Sequence, residues 1–170
     1  MVLAKPLTIR GSGYTMGAMP HSCPQCRAIY TKDETCQDRF NLSQLKEVDQ
    51  PAYYAVHHLS VPCYMLQHNV YSREGWLEVR KLLWKFVHDG WTPMMARRQN
   101  KGHADSGQRS WSFTKGAKLA GSEDIAWSFT VADIRLDTAE LYCADVKRWA
   151  QSILADTEEL NCSLESAASP

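Results

Sequence analysis

The residues best equipped for chemistry lie between positions 21 and 68. That stretch opens with His21, carries Cys23-Pro24-Gln25-Cys26 and Cys36, and ends with Cys63 and the histidines His57, His58 and His68. It holds four of the chain's six cysteines and four of its six histidines. Two residues between thiolates let both sulfurs, and the backbone N–H groups between them, face one point, the geometry of a zinc knuckle. A structural Zn2+ takes four N or S ligands in a closed tetrahedron. Cys23, Cys26 and Cys36 supply three, and the histidines are the natural source of a fourth. His57 and His58, adjacent on a helix, point about 100° apart and cannot readily share an ion there. His68 lies three helical turns beyond His57, roughly 16 Å along a straight helix. His57, His58 and His68 are therefore alternatives.

Other chemistries find less support. No His-Glu-x-x-His, deaminase, phosphate-loop, nucleophile-elbow or dinucleotide pattern occurs. A catalytic zinc would keep a position open for water beside a carboxylate base. Cys63, Cys143 and Cys162 read as core or surface thiols, and His88 and His103 as solvated residues.

Composition sets the frame. The chain of 170 residues is long enough for one core without staples, and 44% of it is apolar. Nineteen basic residues balance nineteen acidic ones, which argues against a dedicated nucleic-acid surface, although Arg97, Arg98, Lys101 and Arg109 with nearby aromatics could form a local one. No apolar run approaches the roughly 18 residues of a membrane span, and residues 1–20 lack the apolar core of a signal peptide. The expected setting is cytoplasmic, where a Cys-x-x-Cys pair favours metal binding or redox chemistry over a structural disulfide.

The elements that must position these residues are mainly helical. Residues 1–20, rich in Gly and Pro, read as a mobile leader. Residues 33–50 carry Phe40, Leu45 and Val48 near a 3.6 period with Leu42 beside them, and Cys36 falls in the first turn, where the helix dipole favours a thiolate. A second helix follows Pro51, with a kink or restart predicted at Pro62 and Ser60 as a cap. Residues 72–89 are the clearest amphipathic helix: Trp76, Val79, Leu83, Phe86 and Val87 form the stripe, and Arg73, Glu74, Glu78, Arg80 and Lys81 lie mostly elsewhere. Residues 98–126 form a polar loop or insertion. Within and after it Trp-Ser-Phe-Thr occurs at 111–114 and 127–130, and two such alternating pieces could pair as a small β-hairpin. Residues 137–160 form another strong helix, with Asp137-x-x-Glu140 as a capping box. The prediction is four to five helices around one core, a single zinc-bound domain over residues 21–160, and a disordered tail over 161–170.

Cys-Pro-x-Cys, a helical Cys, Val56-His57-His58-Leu59-Ser60-Val61, Tyr64 and Gln67-His68 resemble a small bacterial domain family of unknown function. Thr130–Ile134 and Val146-x-x-Trp149-Ala150 extend the resemblance across most of residues 23–155. It implies a zinc-bound helical domain with Cys23, Cys26, Cys36 and His57 as ligands, and a place among bacterial defence or regulatory accessory proteins, including CRISPR-linked ones. The chain departs from the pattern where Asn69, not Pro, follows His68. The leading functional expectation is a non-enzymatic accessory or adaptor protein that binds another protein through Trp111, Phe113 and Trp127. A metal-dependent hydrolase with an open zinc and a nucleic-acid-binding module are the alternatives.

Overall fold

The computed structural model describes residues 20–31, 33–99 and 114–168, with side chains through residue 164. Among them a two-stranded antiparallel hairpin, β1 (His21–Ser22) and β2 (Ile29–Tyr30), leads into α1 (Cys36–Asp49), α2 (Pro51–Tyr54), α3 (His57–Gln67), α4 (Arg73–His88), α5 (Pro93–Gln99), a 3-10 turn (Val131–Asp133), α6 (Ala139–Asp156) and α7 (Glu158–Ala168). The fold is mainly α. The helix α3 packs between α4 and α6, α4 also meets α6, and α1 leans on α2, α3 and the 3-10 turn.

The stripes of α4 and α6 fall where their periodicity places them. Trp76 and Leu83 of α4 are fully buried, as are Tyr142, Val146, Trp149, Ala150 and Ile153 of α6. Arg80 departs from the pattern. It sits four residues after Trp76 and three before Leu83, so it shares their face. It is buried there because Thr157 Oγ1 accepts from its Nε at 2.8 Å and Glu158 from its Nη2 at 2.7 Å.

The helix α1 turns the other way from expectation. Leu45 and Val48 are exposed, and Cys36, Ser43 and Glu47 face inward. The inward face is polar because its carboxyl is fully satisfied there. Glu47 accepts from Tyr142 Oη at 2.6 Å and Ser60 Oγ at 2.8 Å on one oxygen, and from Gln44 Nε2 at 2.9 Å on the other. With those partners a buried carboxyl becomes tolerable, whereas alone it would be costly. Ser60 therefore serves Glu47 and caps no helix.

Other boundaries moved as well. The helix α3 runs through Pro62, and the chain breaks earlier, at Ala55–Val56. One i→i−4 bond, to His58, is forfeited, while Leu59, Cys63 and Leu66 keep the helix anchored in the core. Among the described residues the hairpin lies around Cys23–Cys26. Residues 111–113 fall outside the described residues. Trp127–Thr130 is irregular because its polar groups bond elsewhere: Ser128 N–H donates to Asp156 at 2.8 Å, and Gln67 Nε2 to the Phe129 carbonyl at 2.6 Å. Thr130 instead caps the 3-10 turn. Thr138, one residue after the predicted Asp137, caps α6. The described end of the 98–126 segment is anchored by buried Leu119 and Ile125. The tail expected to be disordered from residue 161 is helical to Ala168, since Leu160 and Leu164, four residues apart, both rest on the core. No helix of the described residues is long and apolar enough to cross a membrane.

Candidate metal centre

Three elements converge on one point, and each has a local reason to present its side chain. The hairpin turn holds the first pair of cysteines. Arg27 N–H donates to the Cys23 carbonyl at 2.9 Å and Cys23 N–H to the Ala28 carbonyl at 2.8 Å, with Arg27 itself in the left-handed region at φ 60°. Cys36 is the first residue of α1. Thr35 caps that helix and forms a reciprocal capping box with Asp38, so the sulfur sits at the positive end of the helix dipole.

His68 is the C-cap of α3. Behind it Asn69 N–H donates to the Leu66 carbonyl at 3.2 Å and Val70 N–H to the Met65 carbonyl at 3.1 Å, a Schellman motif. The motif requires a left-handed residue at position 69, and Asn69 has φ 47°. Proline, with φ fixed near −65°, could not close the helix this way, which accounts for the departure at that position.

The ligand atoms of Cys23, Cys26, Cys36 and His68 all lie within 4.8 Å of one another. Cys26 Sγ and Cys36 Sγ are 3.4 Å apart, and Cys23 Sγ lies 3.8 Å from His68 Nε2. A tetrahedral zinc with sulfur at about 2.3 Å sets neighbouring sulfurs about 3.8 Å apart, so these separations fit. The histidine is prepared for the role. Its Nδ1 lies 2.8 Å from the Tyr64 carbonyl, which can only accept, so Nδ1 carries the proton and Nε2 offers its lone pair to the thiols. Tyr64 also stacks on the imidazole at 4.0 Å and on Phe40 at 4.0 Å, fixing the ring plane.

The electrostatics suit a cation. The hydrogen bond shared by the Cys26 and Cys36 sulfurs, with a smaller contribution from the Tyr30 hydroxyl that donates to Cys36, holds the Cys36 thiol well below its ordinary value despite burial. The same bond, together with burial, pushes Cys26 far up. Burial raises the Tyr30 hydroxyl, and its bond to Cys36 at 3.3 Å adds to the rise. Burial, and then the nearby sulfurs, push Tyr64 up to about 12. Crowded thiols thus resist losing a second proton unless a positive ion joins them. A cavity of about 270 Å³ opens beside the group, and none of the described residues lining it is a carboxylate.

The histidine placed first by the resemblance, His57, does not join the sulfurs. Because α3 continues through Pro62, His57 and His68 stay at opposite ends of one helix. His57 Nδ1 lies 2.6 Å from Glu47, and its ring stacks on Tyr54. His58 meets the Phe86 ring edge-on, and burial lowers its pKa. Cys63 is a fully buried core thiol, Cys143 donates to the Ala52 carbonyl, and Cys162 is exposed. Of the aromatic residues proposed for a partner, Trp111 and Phe113 lie outside the described residues, and Trp127 is partly buried against the core. The signal that could have singled out His68 was the Gln67-His68-Asn69 end of the helix. A helix end with a residue fit for the left-handed conformation can turn its last side chain toward a neighbouring loop.

A mainly helical domain whose N-terminal hairpin shares a Cys3His group with two helices is the class of protein these features define. The chain belongs to the family of unknown function DUF5946, whose family model matches residues 21–158. No curated protein and no solved structure matches it.

Proposed function

We propose that Cys23, Cys26, Cys36 and His68 hold one Zn2+, and that the chain is a zinc-stabilised, non-enzymatic accessory or adaptor protein. The observation that carries this reading is the convergence of four soft N/S donors with a pre-set His68 tautomer. Four such donors complete a tetrahedron, which matches a structural site more closely than a hydrolytic one that keeps a position for water. When bound, the ion would supply the positive charge that lets all three thiols ionise together. The protein's part is to hold those donors at the hairpin turn, the start of α1 and the end of α3.

The adaptor half of the proposal draws on surface chemistry. Leu42, Leu45 and Val48 leave an apolar strip on the outer side of α1, and Ile29 is 70% exposed on the hairpin. Another protein is the natural cover for such a strip. The cytoplasmic setting, and the bacterial defence or regulatory role implied by the resemblance, belong to the same proposal.

Elemental analysis of the purified protein tests the first half, with one zinc per chain expected. Cobalt substitution should give the absorption of a four-coordinate, sulfur-rich site. A five-coordinate or water-bound spectrum would favour the hydrolase. For the second half, affinity capture from the cells of origin should lose its partner when Leu45→Glu and Val48→Glu are combined. Undiminished capture by that folded variant would remove α1 from the interface.

A further inference from the structure

The groove between α4 and α7 carries chemistry that the metal centre does not use. It encloses about 620 Å³, within the usual range of small-molecule sites. Leu77 and Leu164 form its apolar floor, and Arg73, Lys81 and Lys85 stand along the α4 side. Arg80 lies at its base, already paired with Glu158 at 2.7 Å. Among the described residues the side chains of Arg73 and Lys81 have no hydrogen bond or ion pair, whereas Lys85 leans over the Trp91 ring at 4.1 Å and donates to Gln99 Oε1 at 3.5 Å. Four cationic side chains and one committed carboxylate thus share a groove in a chain of zero net charge. Trp84 adds a large aromatic surface, 43% exposed, one helical turn beyond Lys81, with the His88 ring 5.0 Å away on its C-terminal side.

We propose that this groove binds a nucleoside phosphate, free or as a unit of a single strand. The indole of Trp84 offers a stacking surface for a base, and stacking asks only for a π face. Lys81 and Lys85 flank it, where the first phosphates would lie. Arg73 stands eleven residues before Trp84, roughly 16 Å along the helix, within reach of the far end of a polyphosphate or of a second nucleotide. Glu74 and Glu78 of the same helix are not among the residues that line the groove. Here the cations gather beside an aromatic ring and over an apolar floor. The site is independent of the metal centre, since none of its residues belongs to the Cys3His group.

Calorimetric titration of the metal-loaded, full-length protein tests this with adenosine triphosphate, inorganic tripolyphosphate and a short oligothymidylate. Saturable binding of the nucleotide is expected, weakened at least tenfold by Lys81→Glu. Trp84→Ala should weaken the nucleotide tenfold and leave tripolyphosphate unchanged. Tighter binding of the oligonucleotide, with the same dependence on both residues, would assign the site to a strand; the reverse order would assign it to the free nucleotide. Absence of saturable binding by every probe overturns the proposal, as does binding indifferent to Lys81→Glu. Equal loss of tripolyphosphate and nucleotide in Trp84→Ala overturns the stacking arrangement. Lys81 is exposed, so its variant should keep the wild-type melting temperature and report on the groove alone.

Discussion

Single side chains decide the metal centre. Cys26→Ser should reduce bound zinc from one per chain to near zero and lower the melting temperature by several degrees, since the ion's binding energy is folding energy. Cys162→Ser, at an exposed position away from the group, should change neither. The sharper contrast is between histidines. His68→Ala should lose the metal, whereas His57→Ala should retain it, as read by elemental analysis of both variants. Tyr142→Phe leaves the buried Glu47 one donor short and should cost about 1–3 kcal/mol in denaturant unfolding, with zinc content unchanged. The three cysteines were legible in the sequence because ligand spacing is local. The fourth donor was not, because which histidine reaches the sulfurs depends on whether α3 breaks at Pro62. That outcome is settled by packing against α4, the next long helix, and against α6, which begins only at Ala139.

At the scale of elements, α4 and α6 could be read directly from periodicity, because their apolar stripes are what the core buries. The orientation of α1 could not. Leu42, Leu45 and Val48 are exposed while Phe40 packs on the core, and the helix's inward face is organised around a carboxyl whose partners Ser60 and Tyr142 lie 13 and 95 residues away. The helix α3 offers a direct check. Pro62→Ala restores a backbone donor inside a helix and should stabilise the protein by about 1–2 kcal/mol; a loss of stability would mean that the proline ring itself is needed for packing. The entry to α6 responds to pH. Arg135 bonds Asp145 through its backbone N–H at 2.9 Å and its guanidinium at 2.8 and 2.7 Å, which holds the Asp145 carboxyl below its ordinary value. A carboxyl lowered in the folded state stabilises above its unfolded pKa, near 3.9, and that contribution fades as pH falls through the folded value. Asp145→Asn should therefore be less stable than wild type at pH 7, and the gap in melting temperature should close below about pH 4.

For the whole molecule, the metal would join the hairpin to the ends of two helices whose other contacts are with the common core. Chelation should therefore loosen the molecule unevenly. Hydrogen exchange should speed up across residues 20–36 and at the end of α3, while the middle of α6, where Val146 and Trp149 are fully buried, should keep its protection. Uniform loss of protection would show that the ion and the helical core unfold as one unit. The placement of the donors along the chain also bears on how the molecule is assembled. Cys23, Cys26 and Cys36 lie close together in sequence, and His68 comes 45 residues after Cys23. During synthesis the three sulfurs would emerge before the histidine, so three of the four donors would be present before α3 is complete. The His68 imidazole would join them only once α3 has formed, so its arrival would mark completion of the N-terminal half.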